Sequence, residues 1–186
     1  MTVVIAQTIF EVNGLDEEEL SQFKIEMEQQ FQAMTADFQV WSEQLKVLKV
    51  TLDKDPTLNL GAFYEKLEWS QDARNQAVEI IGQALAYRAA WENNLYQAEK
   101  YLRMIRSDLG KYINKKENKN KESQEAALYS FRPDVFECFH RCEATLAWIK
   151  TMLDSFNKKL DNLESANLNV NRQITVTELL TYKGLL

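Results

Sequence analysis

An apolar residue recurs at alternating steps of three and four along residues 20–52, whose sequence is LSQFKIEMEQQFQAMTADFQVWSEQLKVLKVTL. Two further stretches show the same spacing, one from Trp91 to Tyr112 and one from Phe139 to Leu163. A seam that repeats about every 3.5 residues is typical of helices that pack against other helices. The chain is therefore predicted to be all-α, forming an elongated helical bundle or an antiparallel coiled-coil hairpin.

The composition agrees with this fold class. Of 186 residues, 45% are hydrophobic and 27% are charged, which suffices for a packed core and is typical of long helices. Only five residues are Gly and two are Pro. No apolar run is long enough to span a bilayer, and the first residues lack the basic region of a signal peptide. The sequence therefore predicts a cytoplasmic protein with no membrane partner.

Helix-breaking residues divide the chain into segments. Pro56 ends the first periodic stretch, and Pro133 fits the first turn of the last one. The pattern predicts a three-helix bundle over 15–164, with helices at about 16–52, 61–114 and 133–164. Residues 1–14 are predicted to be an extended arm, and the polar residues 114–130 a flexible connection. The last segment, 165–186, has two predicted forms. One is a short helix, because Thr175–Glu178 resembles a helix-capping box, and the other is a strand in which residues 174–177 pair with the N-terminal arm.

The central seam also bears on assembly. Arg74 and Arg88 interrupt it, and a helix over 61–114 would be roughly 75 Å long at 1.5 Å per residue. A small domain has difficulty covering the seams of such a helix by itself. The sequence therefore predicts a homo-oligomer or another helical protein as partner.

Residues that could support catalysis or bind a metal are few. His140, the one histidine, lies between Cys138 and Cys142, but on a helix it points away from the face that the two cysteines share. We therefore interpret these as core cysteines beside a surface histidine. A di-iron bundle needs two Glu-x-x-His motifs, and only Glu137–His140 provides one. No enzyme activity, cofactor, metal site or small-molecule substrate is predicted.

One basic segment lies in an otherwise acidic protein. The net charge is −6 overall, but residues 100–121 contain eight Lys or Arg against two Asp or Glu. Cationic side chains with nearby aromatic rings are typical of proteins that bind single-stranded nucleic acid. A solvated helix face or a contact with an anionic protein would produce the same pattern. The candidate nucleic-acid-binding residues are Tyr96, Lys100, Tyr101, Arg103, Arg106, Lys111, Lys115, Lys116, Lys119 and Lys121.

Residues 84–184 resemble the phage recombination mediators of the UvsY type. In that family a basic helix and a charged loop lead into a helix with a tryptophan, two Leu-Asp pairs and a final serine, followed by a short C-terminal helix. The matching residues here are Trp148, Leu153-Asp154, Leu160-Asp161 and Ser165, followed by 174–184. The resemblance implies an oligomer that binds single-stranded DNA and helps to load a recombinase.

Two functional hypotheses therefore stay open. The first is a helical accessory protein that binds single-stranded nucleic acid, a recombination partner, or both, which the basic segment and the resemblance favour. The second is a structural, adaptor or inhibitor protein that acts through protein contacts alone, which the net acidity favours because it repels nucleic acid.

Overall fold

The computed structural model describes residues 14–51, 60–113 and 117–184, which form four α-helices and no β-strand. The helices are α1 (Glu17–Val47), α2 (Leu60–Leu109), α3 (Lys121–Phe131) and α4 (Pro133–Tyr182). The all-α prediction is confirmed. No helix among these residues is both long and apolar enough to cross a membrane. The predicted arm lies outside the described residues except for Gly14.

The chain divides into two compact units, and α1, α2 and α4 each contribute residues to both. Of the described residues, the first unit contains 14–33, 88–113 and 117–148. Here α1 runs antiparallel to α2, because Phe23 contacts Tyr101 edge-on and the Asn94 amide donates to Gln30 Oε1. One core cluster of this unit joins side chains from all four helices, namely Leu20, Tyr101, Leu102, Ile105, Leu109, Leu128, Val135 and Phe136.

Of the described residues, the second unit contains 34–51, 60–87 and 149–184. Phe38 lies in its core at 1% exposure and stacks on Phe156, with ring centroids 5.7 Å apart. Three pairs show that α2 and α4 are antiparallel, since residue numbers rise on α2 as they fall on α4. These pairs are Tyr64 with Glu178, Ser70 with Asn167, and Arg74 with Glu164. The two helices of the predicted hairpin are thus antiparallel in this unit.

The predicted seams are largely the buried faces of the helices. Phe38, Trp41 and Leu45 on α1 are buried, and so are Ile149 and Leu153 on α4. The helix ends differ from the prediction. The first helix ends at Val47 rather than 52, and α2 ends at Leu109 rather than 114. Residues 52 and 114 themselves lie outside the described residues.

The prediction of a flexible connection over 114–130 was wrong for most of that range, because residues 121–131 form α3. The side chain of Asn120 caps its first turn by accepting a hydrogen bond from the Ser123 backbone N–H at 2.7 Å. Leu128 is the buried residue that anchors this short helix to the core of the first unit.

The prediction of a separate helix or strand over 165–186 was also wrong, because α4 continues without a break through Tyr182. Thr175 does not cap a new helix. Its hydroxyl donates back to the Asn171 carbonyl oxygen at 3.1 Å, as a threonine inside a helix does. The buried face continues through Val170, Ile174 and Thr177.

Candidate functional site

The basic segment lies in the first unit, at the end of α2, in the turn that follows it and at the start of α3. Tyr96, Lys100, Arg103 and Arg106 are exposed on α2, and Lys111 is exposed just beyond its end. Lys119 precedes α3 and Lys121 is its first residue, both exposed. Lys115 and Lys116 lie outside the described residues.

Carboxylates neutralise part of this segment. Arg103 pairs with Glu99 at 3.4 Å, Arg106 with Glu125 at 2.9 Å, and Lys111 with Asp108 at 3.0 Å. Two of these acids lie just outside the range 100–121. Over residues 96–125 the chain contains eight Lys or Arg against five Asp or Glu, a net charge of only +3. The attraction for a polyanion is therefore weaker than the sequence segment alone suggests.

The two predicted aromatic residues differ in their surroundings. Tyr96 is 58% exposed, and the Arg103 guanidinium lies over its ring at 5.8 Å from the centroid. Tyr101, by contrast, is a core residue at 3% exposure, so its ring cannot stack on a base. Burial, and then a hydrogen bond to Glu19, raises the pKa of Tyr101 to about 12. Tyr101 is therefore removed from the candidate binding residues.

The cysteine and histidine side chains lie as the helical spacing predicted. Cys138 and Cys142 are buried free thiols, whereas the His140 side chain is 64% exposed and contacts Glu143 at 3.2 Å. Burial raises the pKa of the Cys142 thiol to about 12, which disfavours the reactive thiolate. Among the described residues, no group of three or more His, Cys, Asp or Glu side chains is placed to hold a metal ion.

A second candidate surface is a largely apolar stripe on the C-terminal half of α4, in the second unit. All of its members are exposed, and five of them recur at steps of three and four, namely Leu168, Arg172, Thr175, Leu179 and Tyr182. Leu168 is 58%, Leu179 54% and Tyr182 91% exposed. We call this set the exposed stripe of α4; it comprises Leu168, Arg172, Thr175, Val176, Leu179 and Tyr182.

The exposed stripe lies opposite the buried face of the same helix. The buried residues Leu163, Val170 and Ile174 recur at the same spacing, displaced by two residues along the helix relative to the exposed stripe. Two residues correspond to about 200° around a helix at 3.6 residues per turn. One face of α4 therefore packs within the unit, and the opposite face is exposed.

Comparison with protein-family models, with curated protein sequences and with solved structures finds no match to this chain. The two candidate surfaces are therefore identified from the residues of this chain alone.

The exposed stripe was not singled out in the sequence, although a signal for it is present. Leu168, Leu179 and Tyr182 fit a heptad once the helix is known to continue past residue 164. A helix that ends at 164 does not include these residues, so the predicted boundary hides their common spacing.

Proposed function

We propose that this protein is a non-enzymatic structural or adaptor protein that acts through helix–helix contacts, and that the exposed stripe of α4 binds a second copy of the chain. The observation that carries the proposal is the stripe itself, in which Leu168, Leu179 and Tyr182 are more than half exposed at heptad spacing. Apolar side chains at this spacing lose contact with water when a second helix covers them.

The residues of the stripe favour an antiparallel pair related by a two-fold axis. In a parallel pair, Arg172 would face its own copy, and two like charges would repel each other. In an antiparallel pair centred between residues 173 and 174, Leu168 lies opposite Leu179 of the other copy, and Arg172 lies opposite Thr175. The guanidinium can then donate to the threonine hydroxyl. A two-fold interface of this kind is self-complementary, as most homodimer interfaces are.

Sedimentation equilibrium at micromolar concentrations tests this proposal. The parent protein is expected to exceed the 21.7 kDa mass of one chain. Leu179→Asp should weaken association at least about tenfold, since the change enters the interface twice. Val40→Asp is the matched control, because Val40 is 53% exposed on α1 and lies outside the stripe, against 54% for Leu179.

Two results would reject a dimer through the stripe. One is a parent protein that sediments as a single chain across the concentration range. The other is an equal loss of association in the Leu179→Asp and Val40→Asp variants, which would indicate a general effect of added negative charge.

A second candidate function is binding of single-stranded nucleic acid at the basic segment. The contact that favours it is the exposed Tyr96 ring with the Arg103 guanidinium above it, beside the exposed Lys100. Together they offer a stacking surface and cations for phosphate. The resemblance to recombination mediators is consistent with this role.

Fluorescence anisotropy with a labelled single-stranded oligonucleotide separates the two candidates. Binding at the basic segment should weaken steeply as salt rises, because bound phosphates release counterions. It should also fall in Arg103→Gln but not in Lys150→Gln, a change to an exposed lysine of α4 outside the segment. Absence of binding at low salt would exclude this second function.

A further inference from the structure

A groove in the second unit combines an apolar floor with three lysines at its edge. It lies between the end of α1 and the middle of α4 and has a volume of about 550 Å³. Leu45 and Phe156 form the floor and are 4% and 3% exposed. Phe156 is held in place by its stacking on Phe38. The volume lies within the range of roughly 300 to 1,000 Å³ that is usual for small-molecule sites.

The lysines give the groove a positive charge in a protein whose net charge is −6. Lys46 and Lys49 come from α1 and the residues just after it, and Lys159 comes from α4. Lys46 is partly neutralised by Glu43 at 2.5 Å. Within the described part of the chain, Lys49 and Lys159 form no ion pair.

Two hydroxyl groups complete the groove. Ser42 on α1 and Ser155 on α4 line it beside the lysines. Hydroxyl donors and ammonium groups are both suited to phosphate oxygens, and lysine binds phosphate as a point charge. The floor, in contrast, presents only carbon atoms to a ligand, since Leu45 and Phe156 carry no polar side-chain group.

We propose that this groove binds a phosphate monoester with an apolar or aromatic body. The phosphate lies between Lys49 and Lys159 and accepts hydrogen bonds from the serine hydroxyls, and the body covers Leu45 and Phe156. Two sources share this chemistry, namely a free phosphorylated small molecule and the head group of an anionic lipid such as phosphatidic acid. The site shares no residue with the exposed stripe of α4, so it does not depend on the proposed self-association.

Isothermal titration calorimetry of the full chain with phenyl phosphate tests the free ligand. Phenyl phosphate should bind more tightly than inorganic phosphate, because the ring also covers the floor. Lys159→Gln should weaken binding at least about tenfold, whereas Lys158→Gln should leave it within about twofold, since Lys158 is exposed on the same helix and does not line the groove. Circular dichroism of each variant checks that the helices are retained.

Flotation with vesicles that contain phosphatidic acid tests the lipid source, with neutral phosphatidylcholine vesicles as control. Vesicle binding that Lys159→Gln abolishes and Lys158→Gln retains supports the groove with a lipid as its ligand. Phenyl phosphate binding without vesicle binding supports it with a free small molecule. Absence of binding in both assays, or an equal loss in the two lysine variants, overturns the proposal.

Discussion

Replacing Leu153 by aspartate tests whether the seam of α4 is the core of the second unit. Leu153 is 5% exposed, between the buried Ile149 and Phe156 on the same face. Loss of a buried leucine side chain lowers the free energy of unfolding by about 2–5 kcal/mol. The new carboxyl group must also be buried, and protonating it at pH 7 from an ordinary pKa of about 3.9 requires about 4 kcal/mol. The two effects together approach the whole stability of a typical domain, which is about 5–15 kcal/mol.

Urea denaturation followed by tryptophan fluorescence measures this change at fixed protein concentration, and Leu153→Ala is the matched control. The alanine variant should lose only the packing contribution, with no added dependence on pH. The aspartate variant should be largely unfolded at pH 7. Its carboxyl is protonated in the folded state and ionised in the unfolded state above pH ~4, so its destabilisation should shrink as pH falls toward 4. Equal stabilities of the parent and the aspartate variant at pH 7 would mean that this face is not buried.

Three further predictions concern the first unit and the helix content. Burial alone would raise the pKa of Asp134, but hydrogen bonds from Arg132 and Lys24 outweigh it and lower this pKa to about 2. The pairing thus stabilises the fold above pH ~4 and is lost as pH falls through 2, so Asp134→Asn should cost about 1 kcal/mol at pH 7 in urea denaturation, after allowance for solvent screening, and progressively less as pH falls from 4 through 2. Cys138 and Cys142 should react with a thiol reagent only in denaturant, because both thiols are buried, and rapid reaction of the native protein would contradict this. Far-UV circular dichroism should show more than half of the residues as helix, and a spectrum dominated by strand would contradict the fold.

The fold class and the packing faces could be predicted from the sequence because heptad spacing directly records which side of a helix is buried. The continuation of α4 past residue 164 could not be predicted in this way. Asn167 occupies the next position of the seam, where the spacing predicts an apolar residue. In the structure its amide donates to the hydroxyl of Ser70, which is 0% exposed and donates to the Leu67 carbonyl oxygen. A polar pair across two helices thus continues the seam, and a hydrophobic pattern cannot show it.

The surroundings of the basic segment also could not be predicted from a short stretch of sequence. Arg106 pairs with Glu125, which is 19 residues away and lies on a helix that the sequence did not predict. Tyr101 precedes the predicted seam residue Leu102, yet both are buried, because the apolar face at the end of α2 is wider than the seam. The net positive charge counted over the basic segment is therefore larger than the net positive charge of the folded surface on which that segment lies.

The lysine groove has no counterpart in any sequence pattern. Lys46 and Lys159 are more than a hundred residues apart, and only the packing of α1 against α4 within the second unit places them at one groove. The sequence predicts no small-molecule substrate because residues that could support catalysis or bind a metal are few. A groove assembled from isolated lysines and serines on two helices needs no such residues, so that scarcity does not exclude it.

The composition of the exposed stripe explains how α4 can present two seams without compromising the folded chain. The buried seam contains Val170 and Ile174 at 0% and 6% exposure, whereas the exposed stripe includes Arg172 and Thr175 in its centre. These polar residues keep the uncovered face in contact with water and reduce the apolar area that a partner can cover. Association through the stripe should therefore be reversible and weaker than the packing within the unit. This behaviour is expected of the proposed adaptor, whose chain would be stably folded before it binds a second copy.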